Sequence, residues 1–123
     1  MRYNRHDYFR YSFEPYIPAT FRIQLNNDKK LLSNEGQCEI ADISTGGVKF
    51  ITNLDLPVRS EILTIQLDFT IFEHPFEILG NIVWKKDAEE GYQYGFEFGE
   101  DQHADALIIE ELKHHARKVK ETE

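Results

Sequence analysis

Leu63-Thr64-Ile65-Gln66-Leu67-Asp68-Phe69-Thr70-Ile71 alternates apolar and polar side chains at every step. A strand turns successive side chains to opposite faces, so this stretch predicts a strand with one face buried and one wet. Upstream, Ile17, Ala19, Phe21, Ile23 and Leu25 alternate with Pro18, Thr20, Arg22 and Gln24 in the same period. Downstream, Phe76, Ile78, Ile82 and Trp84 share one face of a third segment, and Gly80 is a gap that marks a bulge or tight bend. Tyr92, Tyr94, Phe96 and Phe98 alternate with Gln93, Gly95, Glu97 and Gly99, which reads as core filling rather than an exposed stacking platform. Two shorter β segments, 37–41 and 48–52, flank a glycine turn. Polar loops at 26–30, 53–60, 73–75 and 85–91 separate the segments.

Six short strands with no helical crossovers predict an all-β, antiparallel barrel or sandwich, with the barrel favoured. Only the last stretch is helical in pattern. From Asp101, an N-cap residue, Ala104, Ile108, Leu112, His115 and Val119 recur every three or four positions. Asp105 sits early, and Lys113, Arg117, Lys118 and Lys120 sit late, as the helix dipole favours. The reading is one domain over 1–123. It has an arm (1–12), a six-stranded barrel (13–99) and a C-terminal helix (101–119).

Composition bounds the function. The 123 residues suffice for one core, and 16 aromatics against a net charge of −8 describe an ordered, acidic protein. That acidity argues against a DNA or RNA binder. The single cysteine, Cys38, excludes an internal disulfide and any multi-cysteine zinc site. No apolar run approaches the ~20 residues of a membrane span, so the expectation is a cytoplasmic protein without membrane insertion.

A search for catalysis finds no candidate. Cys38 lies mid-strand without a neighbouring base, as a structural thiol does. Glu110/His114 and Glu111/His115 are helical i,i+4 pairs, best read as ordinary surface pairing rather than a metal site. The chain reads as a binding protein, not an enzyme, without catalytic residue, metal or cofactor.

Two features carry binding chemistry. Three of the six arginines (Arg2, Arg5, Arg10) lie in the first ten residues, opposed there only by Asp7. Residues 11–99, by contrast, hold seven Lys and Arg against fourteen Asp and Glu. Tyr3, Tyr8, Phe9, Tyr11, Phe13 and Tyr16 interleave with those arginines near the terminus, a mixture that suits a flat anionic ligand. The second feature is Asp42-Ile43-Ser44-Thr45-Gly46-Gly47, a turn in which Asp42 and Ser44 can face one side. Gly46 and Gly47 permit positive φ and close approach by a ligand or another backbone. Two readings of the turn stand side by side: a ligand-binding loop, or a hairpin whose Asp and Ser cap their own backbone.

The order of these pieces resembles the PilZ domain family, bacterial receptors for cyclic di-GMP. Tyr8-Phe9-Arg10, then Asp42-x-Ser44-x-x-Gly47, then Gly80-Asn81-Ile82-Val83-Trp84 and Tyr94-Gly95-Phe96-Glu97-Phe98 carry the likeness over essentially the whole chain. The resemblance implies a six-stranded barrel with an accessory helix. It also implies an Arg-x-x-x-Arg arm and an Asp-x-Ser-x-x-Gly turn that together clasp the nucleotide. Arg10 fits the second arginine of the arm. The position four before it is His6, beside Arg5, as if an arginine pair had its second member replaced. The implied ligand-binding set is therefore Arg5, His6, Arg10, Asp42, Ser44 and Gly47. The implied function is a cyclic di-GMP receptor whose arm orders on the ligand, signalling in trans to a protein partner in motility, biofilm or secretion. The alternative is a degenerate family member that binds no nucleotide and serves as a protein adaptor, for example in pilus assembly.

Overall fold

A computed structural model describes residues 10–25, 28–58, 62–99 and 102–122. In chain order these form β1 (Tyr11–Leu25), β2 (Asp28–Leu32), β3 (Gly36–Ser44), β4 (Gly47–Thr52), β5 (Leu63–Thr70), β6 (Pro75–Asp87), β7 (Tyr92–Glu97) and the helix α1 (Gln102–Thr122). Six strands close in the order β1-β3-β4-β7-β6-β5, with β5 returning to β1 and every pairing antiparallel. This is the six-stranded barrel with a C-terminal helix that the periodicity predicts. β1 is the seam: Ala19 and Phe21 pair with Cys38 and Gly36 on one side and with Phe69 and Leu67 on the other.

The seventh strand falls in a predicted loop. β2 pairs only with the end of β1, Gln24 with Leu32 and Leu25 with Asp28, outside the closed ring. Asp28, Lys30 and Leu31 are exposed, so no buried face imposes a period that a sequence could display.

Phe21, Ile40, Phe50, Ile65, Leu67, Tyr94 and Phe96 fill the barrel, each 2% exposed or less. Burying side chains of this size contributes about 1.5–3 kcal/mol apiece. Phe50 packs between Phe21 and Tyr94, with ring centroids 5.8 and 5.4 Å away. The one phenol in this group is satisfied: the Tyr94 hydroxyl accepts from Leu56 N at 2.7 Å and donates to Leu54 O at 2.8 Å. Tyr92 and Phe98 are half-buried against the same core, so the four aromatics of β7 and its exit pack inward, as expected.

Gly80 is not the site of a bulge. Its register is regular, and a Cβ there would stand 2.5 Å from Glu97 O and 2.7 Å from the Phe96 ring. The glycine lets β6 and β7 cross closely. The irregularity of β6 lies further on, between Ile82 and Trp84.

α1 inserts Ile108 and Leu112 into the core, at 0% and 3% exposure. Between them lies Glu111, and here the sequence reading fails. Glu111 does not pair with His115 on the surface; it is buried, and its Oε1 accepts backbone N–H groups from Phe72, Glu73 and His74 at 2.8–2.9 Å. Burial raises the pKa of this carboxyl, but the three N–H donors, with a smaller Coulombic contribution from His74, outweigh it and hold it below the ordinary 4.5. Glu110 and His114 do form a surface pair, at 3.6 Å.

Both Gly80 and Glu111 have measurable effects on stability. Gly80→Ala is expected to destabilise by about 1–3 kcal/mol through overpacking against β7, read as a lowered urea midpoint at unchanged m-value. The Glu111 contribution is complete above pH 4.5 and lost as pH falls through its lowered folded pKa. Glu111→Gln should cost about 1–2 kcal/mol at pH 7 and flatten that part of the acid slope. Urea unfolding from pH 3 to 7 measures both, and an unchanged slope would contradict the assignment.

Candidate functional site

Alternation should carry Asp42 into the core, because Cys38 and Ile40 both point inward. The register of β3 against β4 shifts between Ile40 and Asp42, leaving Ala41 as the extra residue. Ile43 then takes the inward position at 0% exposure, and Asp42 and Ser44 face outward together. β6 repeats the device. Ile82 pairs with Phe96, but Trp84 pairs with Gly95, so Val83 is the extra residue. Trp84 therefore leaves the inward face on which the sequence pattern placed it and lies 39% exposed on the outside. Its indole covers bare Gly95, where a Cβ would collide with the ring.

Both outward-turned segments border one cavity of about 200 Å³, with Arg10, Gly47, Lys49 and Glu97 among its other walls. The Asp42 carboxylate is part of the same wall. Arg10 Nη1 donates to one carboxylate oxygen at 3.0 Å, and Lys49 Nζ reaches the other at 3.2 Å. Asp42 is thus braced by two cations, one from the residue before β1 and one from β4, and makes no hydrogen bond to its own turn among the described residues, which removes the self-capping reading for that residue. Its side chain is only 8% exposed, whereas Arg10 remains 57% exposed and keeps guanidinium N–H groups turned to solvent.

The turn itself is a two-residue hairpin loop, Thr45-Gly46, closed by the Ser44–Gly47 pair. Gly46 has φ of 86°, which favours glycine there. Gly47 is different: its φ is unremarkable for any residue, and a Cβ would meet Phe96 O and Ser44 Oγ only at 3.5 Å, ordinary contact distance. The fold does not require a glycine at 47. Its bareness serves the cavity wall.

Of the sequence-predicted residues, Arg10, Asp42, Ser44 and Gly47 come together here; Arg5 and His6, like the helix cap Asp101, lie outside the described residues. Sequence reasoning missed Lys49 and Trp84. Lys49 had a signal, since it is the polar residue between inward Val48 and Phe50, two positions after the motif glycine. Trp84 had none, because its position is set by the bulge.

Among the described residues, a larger cavity and the lone cysteine offer no comparable chemistry. The cavity, of about 770 Å³, has Glu39, Glu89 and Glu90 in its walls, which disfavour an anion. Cys38 borders it, but burial, and secondarily Glu39, push its thiol pKa up to about 12. No group of three or more metal-ligating side chains occurs among the described residues. No helix there is long and apolar enough to cross a membrane.

The family model of the PilZ domain matches residues 4–116. The chain belongs to the PilZ domain family. Solved PilZ structures share its fold. The domain is similar to Escherichia coli YcgR in complex with cyclic di-GMP, at 17% identity and a TM-score of 0.62 over 93% of this chain and 48% of that one. It also resembles the PilZ domain of YcgR with cyclic di-GMP, at 14% identity and a TM-score of 0.59 over 93% of both chains. The Bacillus subtilis inhibitor of motility, MotI/DgrA, aligns at 19% identity and a TM-score of 0.54 over 89% of this chain and 55% of that one. The chain thus spans about half the length of whole YcgR and of MotI. No curated protein sequence matches it.

The outward position of Trp84, the only tryptophan of this PilZ domain, has a direct optical test. Its emission should be red-shifted and readily quenched by acrylamide in the native protein. Blue, quencher-resistant emission would return the indole to the core.

Proposed function

We propose that this PilZ domain is a receptor for cyclic di-GMP. The observation that carries the reading is the Asp42 carboxylate held between Arg10 and Lys49, beside the bare wall of Gly47 and the 39% exposed Trp84, over whose ring Lys86 Nζ lies 5.5 Å from the centroid. The parts match a cyclic dinucleotide. Guanidinium and ammonium groups suit its phosphates, the remaining lone pairs of Asp42 suit N–H donors of a base, the Ser44 hydroxyl suits a base or a phosphate, and a partly exposed indole suits stacking on a purine. Two of the similar structures are complexes with that nucleotide, which supports the ligand class. Arg5 and His6 complete the clasp from the arm: Arg5 adds a second guanidinium, and His6 adds a flat ring that stacks on guanine without the bidentate fork. The domain then acts as a regulatory module, not a catalyst, that signals in trans to a protein partner in motility, biofilm or secretion. Likeness to an inhibitor of motility supports the first of these outputs.

The competing reading is an adaptor that binds no nucleotide, and His6 in place of an arginine favours it. Isothermal titration with cyclic di-GMP separates the two. The receptor reading expects saturable heat; no heat and no thermal shift at high micromolar nucleotide, with the arm intact, would overturn it, and a pull-down recovering the same partner with and without nucleotide would favour the adaptor.

Two variants sharpen the test. Arg10→Ala removes a charged hydrogen-bond donor, so affinity should fall at least about tenfold. Gly47→Ala fits the backbone and should leave the unfolding midpoint unchanged or slightly raised, while its methyl group intrudes on the cavity and weakens binding. A Gly47→Ala protein that binds normally would remove that wall from the site.

A further inference from the structure

Arg10 and Tyr11 are consecutive, and the pleat sends them to opposite sides of β1. Arg10 reaches out to Asp42, while Tyr11 sits opposite inward-pointing Ile43 and turns toward the helix. There its hydroxyl lies 2.9 Å from His115 Nδ1. The rings reinforce the contact: His115 packs edge-on against Tyr11 and Phe13, with centroids 5.6 and 5.2 Å apart, and Phe13 is 1% exposed. Burial raises the Tyr11 pKa, while burial and then Lys118 lower that of His115, so the pair is a neutral hydrogen bond at pH 7. The root of the arm is therefore fastened to the nucleotide cavity by one residue and to α1 by the next.

We propose that α1 is the output element of the nucleotide site, coupled to it through the Tyr11–His115 hydrogen bond. The inference rests on the receptor reading above. A ligand that anchors Arg10 also anchors the backbone carrying Tyr11, and so holds the segment of α1 around His115 against local opening. His115 is in this sense a positioning residue: it touches no ligand and acts through Tyr11. By linkage the coupling is reciprocal, so loosening α1 weakens nucleotide binding by the same factor that binding tightens α1. One neutral hydrogen bond limits that factor to about threefold to tenfold.

Hydrogen exchange of the full chain, with and without saturating cyclic di-GMP, tests the coupling. In the wild type the amides of residues 113–119 should slow about threefold or more on binding. Tyr11→Phe, which keeps the ring and removes only the hydroxyl, should abolish that slowing and weaken binding by a similar factor. His115→Gln, which changes the other partner, should behave like Tyr11→Phe, and the double variant should be no worse than either alone. Saturable heat with helix exchange unchanged would overturn the coupling and leave the receptor reading intact. So would slowing that persists in Tyr11→Phe. Absence of heat in the wild type would overturn both.

Discussion

A strand in a closed barrel must alternate its side chains between a packed interior and the outside, and among the register shifts of this barrel, which include one in β1 between Ser12 and Ile17, two insert a single residue. Ala41 in β3 and Val83 in β6 are extra residues without a ladder partner. Each reverses the phase of the residues after it. Past the first, Ile43 replaces Asp42 on the inward face; past the second, Trp84 leaves it. Without these shifts a carboxylate would point into a core of Phe50, Tyr94 and Phe96, and the indole would join it. The bulges therefore do two things at once: they keep charge out of the barrel and bring Asp42 and Trp84 to a common cavity.

Moving Asp42 outward did not return it to water. Its side chain stays nearly buried, and a carboxylate so placed is costly unless its oxygens are paired. Arg10 and Lys49 meet that demand, one on each oxygen. The pairing fixes the cations in return, because two flexible side chains gain a common anchor with defined directions. A half-exposed ion pair contributes little to stability by itself, on the order of 1 kcal/mol or less. Its value lies in placement: a buried anion holds both cations at the wall of the cavity.

The frame was legible because the barrel strands bury one face, and a buried face leaves its period in the sequence. Leu63 to Ile71 and Tyr92 to Phe98 could hardly be read otherwise. β2 was illegible for the converse reason, since an exposed strand beyond the ring has no inward face to mark it. Trp84 and Glu111 were misread for a third reason. A bulge inserts a residue that looks like any other, and a carboxylate bound to a distant turn looks like its neighbour on a wet helix face. The Asp42–Gly47 motif was found at once, yet its partners Lys49 and Trp84 come from the next strand and from β6, united only by the closure of the barrel. Motifs report the local half of a site; register reports the other half.

Net charge is the remaining tension, since the chain carries −8 and the proposed ligand is a dianion. Screening resolves most of it, because charges more than about 8 Å away count little at physiological ionic strength. Close in, Arg10 and Lys49 stand against Asp42 and Glu97 in the cavity wall, and Lys86 Nζ lies over the ring of Trp84 in that wall. Such a wall can orient a nucleotide but supplies little surplus attraction for two phosphates. On the receptor reading Arg2 and Arg5, the remaining arginines of the first ten residues, add to it. The arm is then the electrostatic half of the site, and the barrel is the half that sets geometry. On that reading a short basic segment suffices on a protein whose total charge would repel a longer nucleic acid.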